Sequence, residues 1–452
     1  MTARDLGILG GGSAAFAAAE EALRQGARVV LIDRGPLGGT CLNRGCVPSK
    51  FLIDAAQRAI AQPHGPSFWR ALLQEKARLI AEGRAAKRDF IRRHARRLRY
   101  VSGEGLLISA QRLDANGDSF TVAGSIIATG SRPKQPSFSG LNGVPFYTSD
   151  TIFDLPRLPR TLLIMGAGAT ALELGQMFAH LGVRVTLISD QARLLPQEEP
   201  ELAEALSQRL RAQGVRLLLN RQAVAVRRNG REVALVLERG GSRAETIQAE
   251  IFFIAIGRVP NTDAAGLDAL GIRRGPLGGI AVDAFLRTSR PRIWAAGDCV
   301  DCECPNRFVY VAKRQGEVAA HNALHPRAPR RMDYRVVPRV LFTDPELASV
   351  GLTERAARQK GIAVRVQCLP SAQVPRAWIR RATQGAVKLV TAAASGRLLG
   401  ASLLLPRAGE VIHEAALGMQ LGATAADFRQ LFHAYPTFSE AIQKAAAAPS
   451  RD

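Results

Sequence analysis

Two cysteines stand at a spacing that can do chemistry. In Gly38-Gly39-Thr40-Cys41-Leu42-Asn43-Arg44-Gly45-Cys46-Val47-Pro48-Ser49-Lys50 four residues separate them, and Pro48 suits the first turn of a helix beginning near Cys46. A thiol at a helix N-terminus faces unpaired N–H groups and the positive end of the helix dipole, which favours the thiolate. The pair therefore reads as a reactive dithiol. Six cysteines in 452 residues are too few for a disulfide framework, and in a reducing compartment a close pair serves redox or metal chemistry. Cys299, Cys302 and Cys304 form a second cluster, interleaved with Asp301 and Glu303, whose thiols and carboxylates could take a soft metal ion. Cys368 is isolated, and no role is assigned to it.

Two glycine turns supply a second kind of site. Gly10 and Gly12 follow the apolar run Leu6 to Leu9 and precede an alanine-rich stretch from Ser13 to Gly26; Gly166 and Gly168 follow Leu162 to Met165 and precede Ala171 to Leu181. Each is a strand–turn–helix sequence in which the backbone can approach a pyrophosphate at a helix N-terminus. In the first unit Asp33 lies at the end of the next strand, 23 residues after Gly10, where a carboxylate accepts a ribose hydroxyl. The same offset in the second unit falls on Ser189, with Arg184 and Arg193 nearby. The first site thus suits a free ribose, as in FAD. The second leans towards a 2'-phosphate, hence NADPH over NADH, with Asp190 as the alternative ribose acceptor.

The positioning elements follow from these motifs. The class is α/β, with two Rossmann-like nucleotide-binding domains and an α+β C-terminal domain. The boundaries expected are 1–148 with 260–330 for the FAD domain, 149–259 for the NAD(P)H domain and 331–452 for the last. Gly103 to Ser125 reads as a small antiparallel insertion, and Arg231 to Ile254 as hairpin strands turned at Gly240-Gly241. The chain carries 61 Lys and Arg against 39 Asp and Glu, a net charge of +22. Its densest run, from Lys87 to Arg99, carries no interleaved aromatic platform or recognised reading motif and reads as a solvated helix face, which speaks against a nucleic-acid partner. No membrane span and no leader segment are evident, so the cytoplasm is expected.

GGTCLNRGCVPSK, the turns GGGSAA and GAGATALE, and the runs Ala128-Thr129-Gly130, Ala255-Ile256-Gly257-Arg258 and Ala295-Ala296-Gly297-Asp298 resemble the FAD-dependent pyridine nucleotide-disulphide oxidoreductases across the whole chain. The resemblance implies a homodimer with its active site shared across the interface. It implies that Cys46 is the thiolate touching the flavin and Cys41 the outer thiol that exchanges with substrate. Lys50 and Glu173 match a pair beside the flavin ring. Ser13, Ala14, Gly39, Thr40, Thr129, Gly130, Gly257, Gly297 and Asp298 fall about the cofactors, Asp298 on the ribityl chain.

The thiol–disulphide members carry His-Pro-Thr-x-x-Glu near the C-terminus, the histidine moving protons and the glutamate orienting it. Here His433-Ala434-Tyr435-Pro436-Thr437-Phe438-Ser439-Glu440 puts Tyr435 in that place, five residues before Glu440. A phenol is a poor base at neutral pH. Tyr435 and the segments Phe308 to Ala312, Phe342 to Pro345, Val374 to Ala377 and Gly396 to Glu410 resemble the mercuric-reductase-like branch. That branch implies reduction of Hg(II) held by Cys41 and Cys46, with Cys302 and Cys304 as a candidate relay; its C-terminal cysteine pair has no counterpart in Ala448 to Asp452. The alternatives are reduction of a lipoyl or other small disulphide, with His433 moving the proton, and a slow redox- or metal-sensing flavoprotein.

Overall fold

The computed structural model describes residues 5–60, 66–240, 242–263, 266–301 and 307–451. Strand β1 (Asp5–Leu9), helix α1 (Ser13–Arg24) and β2 (Arg28–Asp33) form the first βαβ unit, followed by α2 (Gly39–Arg44), α3 (Cys46–Ala59), α4 (Pro66–Arg93), β3 (Leu98–Ser102) and β4 (Gly124–Ile127). The sheet is parallel, in the order Ile293–Ala295, β4, β1, β2, β3. A three-stranded antiparallel sheet over residues 105–121 is the expected insertion.

The second unit repeats this plan with β5 (Thr161–Met165), α5 (Ala169–His180), β6 (Arg184–Ile188) and α6 (Pro200–Ala212). Its parallel sheet runs Arg216–Leu218, β6, β5, Ile251–Ile254, Tyr147–Thr148. One expectation is corrected here. Gln222–Asn229, Glu232–Arg239 and Ser242–Ala249 pair antiparallel, whereas Ile251–Ile254 pairs in parallel with β5. Its continuous apolar run, buried at Phe252, Phe253 and Ile254, is what a central parallel strand shows.

The chain returns to the first sheet through Ile293–Ala295 and α7 (Val309–Leu324), which lies against α1. The alanines of α1 permit this close contact: a Cβ on Gly316 of α7 would meet the Ala14 carbonyl oxygen at 2.1 Å. The last domain is a six-stranded antiparallel sheet covered by α8 (Ala408–Leu421) and α9 (Glu440–Ala447).

A single apolar cluster joins α3, α4, the second parallel sheet and the C-terminal sheet, through Leu52, Trp69, Phe178, Phe253 and Leu404. Burying one side chain of this size contributes about 2–3 kcal/mol, so the helix that starts at Cys46 is fixed against three other elements. Trp69 also donates its Nε1–H to the Leu155 carbonyl at 2.8 Å. Among the described residues no helix is long and apolar enough to cross a membrane. Arg88, Arg92, Arg93, Arg96, Arg97 and Arg99 are solvent-facing as expected, but Lys87 is half-buried over the Phe16 ring.

Candidate active site

Gly45 ends α2 and caps α3, so Cys46 is the first helical residue and Pro48 lies in the first turn. Both cysteines are free thiols, Cys41 half-buried and Cys46 exposed. The Cys41 thiol beside it, more than any other group, brings Cys46 down to about 7; the Lys50 ammonium lowers it further, while desolvation opposes both. The same proximity, with burial, pushes Cys41 well above the ordinary thiol value.

Lys50, one helical turn beyond Cys46, donates to Glu173 Oε2 at 2.7 Å and lies 4.6 Å from the Phe342 ring centroid. Glu173 is buried on α5, and its Oε1 accepts the Phe342 backbone N–H at 3.0 Å. Gln176, a turn later, brackets Asp344 by accepting its N–H at 2.7 Å and donating to its carbonyl at 2.9 Å. The C-terminal domain is thus tied to the helix that supports the dithiol.

The first glycine turn is a cradle. Gly10 has φ +117°, and a Cβ there would lie 2.2 Å from the Ala128 carbonyl oxygen; Gly166 repeats this with φ +127° and 2.3 Å to the Ala255 oxygen. Gly39 comes against Gly12, where a Cβ would be 2.5 Å from the Gly12 Cα. Asp33 is buried at the end of β2; its Oδ1 accepts the Gly35 N–H at 3.2 Å, and its Oδ2 has no partner. Burial raises its pKa, partly offset by the Gly35 N–H. An unpartnered buried acceptor beside a glycine cleft fits the ribose of an adenine dinucleotide. Thr40, Thr129 and Gly130 line the same cleft. Asp298 accepts from Ser131 Oγ at 2.8 Å, and Gly297 packs against Ala14.

Two residues not singled out as site residues complete this wall. Arg258 donates to Ser131 Oγ at 2.9 Å, to the Ser131 carbonyl at 2.7 Å and to Asp150 Oδ1 at 2.9 Å. Asn261 donates to the Thr129 carbonyl at 2.9 Å. Their partners lie more than a hundred residues away in sequence, so spacing offers no signal beyond an arginine placed after Gly257.

At the second turn Gly168 caps α5. Ser189 is buried at the end of β6, and its Oγ accepts the Gln191 N–H at 3.1 Å. Arg193 is turned to the Pro196 carbonyl, at 2.6 Å. Arg221 was not foreseen: its N–H meets the Ser189 carbonyl at 2.9 Å, and its side-chain Nε is buried without a partner.

The C-terminal turn separates the residues that the sequence puts side by side. His433 is pulled inward, its Nε2 3.0 Å from Glu414 Oε1 on α8 and its Nδ1 3.1 Å from the Leu431 carbonyl. Tyr435 is 74% exposed. Glu440 is buried at the start of α9, its Oε1 without a partner and its Oε2 3.9 Å from Lys444. Among the described residues no hydrogen bond or ion pair links this turn to Cys41 or Cys46 within the chain. Cys299 is fully buried and donates to the Ala296 and Ile127 carbonyls, and burial raises its pKa. It packs as a small apolar residue. Cys302 and Cys304 lie outside the described residues; among those described, no three ligands converge on a metal site.

Residues 4–324 match the pyridine nucleotide-disulphide oxidoreductase family model and residues 337–446 the dimerisation domain of the same family. The chain is 37% identical to a mercuric reductase of Staphylococcus aureus, over 99% of this chain and 83% of the relative. It is 38% identical to that of Streptomyces lividans, over 98% and 96%. The HOCl-induced flavoprotein disulfide reductase RclA from Escherichia coli, in its Cu(II) complex, superposes with a TM-score of 0.88 at 27% identity, covering 99% of each chain. LpdA from Mycobacterium tuberculosis gives 0.87 at 28%, covering 98% and 99%.

Proposed function

Because the chain belongs to the pyridine nucleotide-disulphide oxidoreductase family, a family dependent on FAD and pyridine nucleotide, we propose that it is an NADPH-driven reductase of a thiol-bound soft metal ion, Hg(II) foremost. The observation that carries this reading is the C-terminal turn. His433 is engaged by Glu414, and the phenol of Tyr435, which stands in the histidine's place, is presented to solvent. Exchange between thiols and a disulphide needs a base near pH 7, and an exposed phenol does not supply one. Two-electron reduction of a metal held by thiolates needs no such base, and soft ions prefer sulfur.

The cleft residues fit FAD: Asp33 would take the ribose, the Gly12–Gly39 approach the pyrophosphate, and Asp298 the ribityl chain. Bound there, FAD supplies a two-electron relay between the nicotinamide and the cysteine pair. The protein's part is to hold charge. The Cys46 thiolate is stabilised by Cys41, Lys50 and the α3 N-terminus; Cys41 takes the incoming ion, and the two sulfurs bind it together. Ser189, without a carboxylate and beside Arg221, supports NADPH. The dimerisation domain supports a homodimer, in which the exposed Tyr435 of one subunit would face the dithiol of the other.

NADPH oxidation measured in parallel with thiol-bound Hg(II), thiol-bound Cu(II), lipoamide and glutathione disulphide tests this. We expect metal-dependent turnover that falls in Tyr435→Phe, and disulphide reduction that rises in Tyr435→His. Rapid disulphide reduction by the unmodified protein, with Hg(II) turnover untouched in Tyr435→Phe, would replace the metal reading with the lipoyl-type one.

A further inference from the structure

The two cysteines stand on helices held by different means. Helix α3 is fixed through the shared apolar core, whereas the short α2, which carries Cys41, has no fully buried side chain. Apolar burial therefore does little to set the position of α2, and polar ties must hold it.

One tie is Asn43. Its Nδ2 donates to the Leu37 carbonyl at 3.1 Å and the Gly39 carbonyl at 2.7 Å, closing the loop that leads into α2, and its Oδ1 accepts Arg84 Nε of α4 at 2.6 Å. The other tie is Arg44, the last residue of α2, whose Nη1 lies 3.6 Å from Asp150 Oδ2. Asp150 is itself held from behind. Arg258 Nη1 donates to its Oδ1 at 2.9 Å, and the same guanidinium donates to Ser149 Oγ at 3.0 Å, Ser131 Oγ at 2.9 Å and the Ser131 carbonyl at 2.7 Å. The Ser131 hydroxyl gives its one proton to Asp298 Oδ2 at 2.8 Å. A chain of alternating charge thus refers the end of α2 to the wall of the flavin cleft, which Arg44, Asp150 and Ser131 all line.

We propose that the Asn43–Arg84 and Arg44–Asp150 ties position Cys41 against Cys46, and so set how readily the pair closes to a disulphide. This deepens the function proposed above and rests on the pair being its redox centre. With glutathione disulphide as oxidant, the pair loses two electrons and two protons as the Cys41–Cys46 bond forms, and two molecules of glutathione leave carrying them. In the disulphide the new bond itself fixes α2; in the dithiol only the ties do. Loosening them frees the dithiol more than the disulphide and lowers the effective concentration of one thiol about the other.

The test is the Cys41–Cys46 disulphide fraction of the FAD-loaded protein equilibrated in glutathione buffers, quenched in acid and read by peptide mass. The equilibrium constant for closure should fall about threefold in Arg44→Gln and in Asp150→Asn and about fivefold in Arg84→Gln. Arg44→Lys should keep most of the wild-type value, and Arg88→Gln, an exposed charge on the same α4, should leave it unchanged. The signs separate position from charge. If the substitutions acted only through the charge of the Cys46 thiolate, loss of the Arg44 cation would favour closure and loss of the Asp150 anion would oppose it; a positional role makes closure weaker in both. The thiolate absorbance midpoint of Cys46 should likewise rise in both, because Cys41 is held less closely in each. Opposite shifts in Arg44→Gln and Asp150→Asn, or an equilibrium unchanged in all three variants, overturn the proposal. A protein that forms no Cys41–Cys46 disulphide in any buffer overturns it together with the redox reading of the pair. Because the equilibrium requires no particular acceptor, absence of Hg(II) turnover with the shifts as expected would refute only the metal reading.

Discussion

The acidity of Cys46 has causes of opposite sign that can be separated by three substitutions. The neighbouring Cys41 thiol is the largest, Lys50 adds to it, and Glu173 works against it. Lys50 and Cys46 are four residues apart on α3, which puts their charged atoms on the order of 6 Å from each other. At an effective dielectric of about 40–80, suited to a site reached by solvent, one unit charge at that distance moves a thiol by about half to one pH unit. Lys50→Met, whose apolar stem can keep the contact with Phe342, should therefore raise the Cys46 midpoint from about 7 to about 7.5–8. Glu173→Gln should lower it by a smaller amount, since the carboxylate acts least on Cys46 and is already neutralised by Lys50. Cys41→Ala should raise it most. The assay is the pH titration of ultraviolet thiolate absorbance in the reduced protein, taken as the difference from Cys46→Ser. If Lys50→Met and Glu173→Gln shifted the midpoint in the same direction, or neither shifted it, the ion pair would have no part in the acidity and the reasoning would fail.

Three further outcomes are expected. Ser189→Glu should narrow or invert the NADPH-to-NADH ratio of kcat/KM, and Arg221→Gln should weaken NADPH alone; a native preference for NADH would point instead to Asp190. Gly11→Ala would set a Cβ 1.9 Å from Asp33 Oδ2, so the purified variant should lose FAD, read from the flavin absorbance per chain; full occupancy would show that Asp33 can move aside without cost. Lys388 is 2% exposed and ion-paired to Glu199 at 2.7 Å, Glu201 at 2.6 Å and Glu354 at 2.8 Å, so Lys388→Met should destabilise by about 3–5 kcal/mol in denaturant unfolding. Lys388 holds the Glu354 carboxyl below its usual pKa. That share of the stability is present above the ordinary carboxylate range and is lost as pH falls through it, so the gap between wild type and variant should close in acid.

The two glycine turns, Asp33, the missing carboxylate at Ser189 and the dithiol at a helix start were all legible in the sequence, because each is a local property. A positive φ at Gly10, a helix opening at Cys46 and an acid at a strand end depend on residues within one or two elements. Lys50 and Glu173 could be paired only by resemblance, since 123 residues separate them. Packing of α3 against α5 through the shared apolar core is what brings them within hydrogen-bond distance. Ile251–Ile254 was misread because a short apolar run does not reveal which strand lies beside it. The Lys87 segment carries an ordinary surface charge pattern, and only the packing of α4 beside α1 sets that ammonium over the Phe16 ring. The direction taken by His433 was likewise decided by a carboxylate on another helix, Glu414, and not by its neighbours in the turn. Long-range contacts of this kind leave no spacing rule in the chain, because they are selected by the shape of the packed core and not by the repeat of any one element.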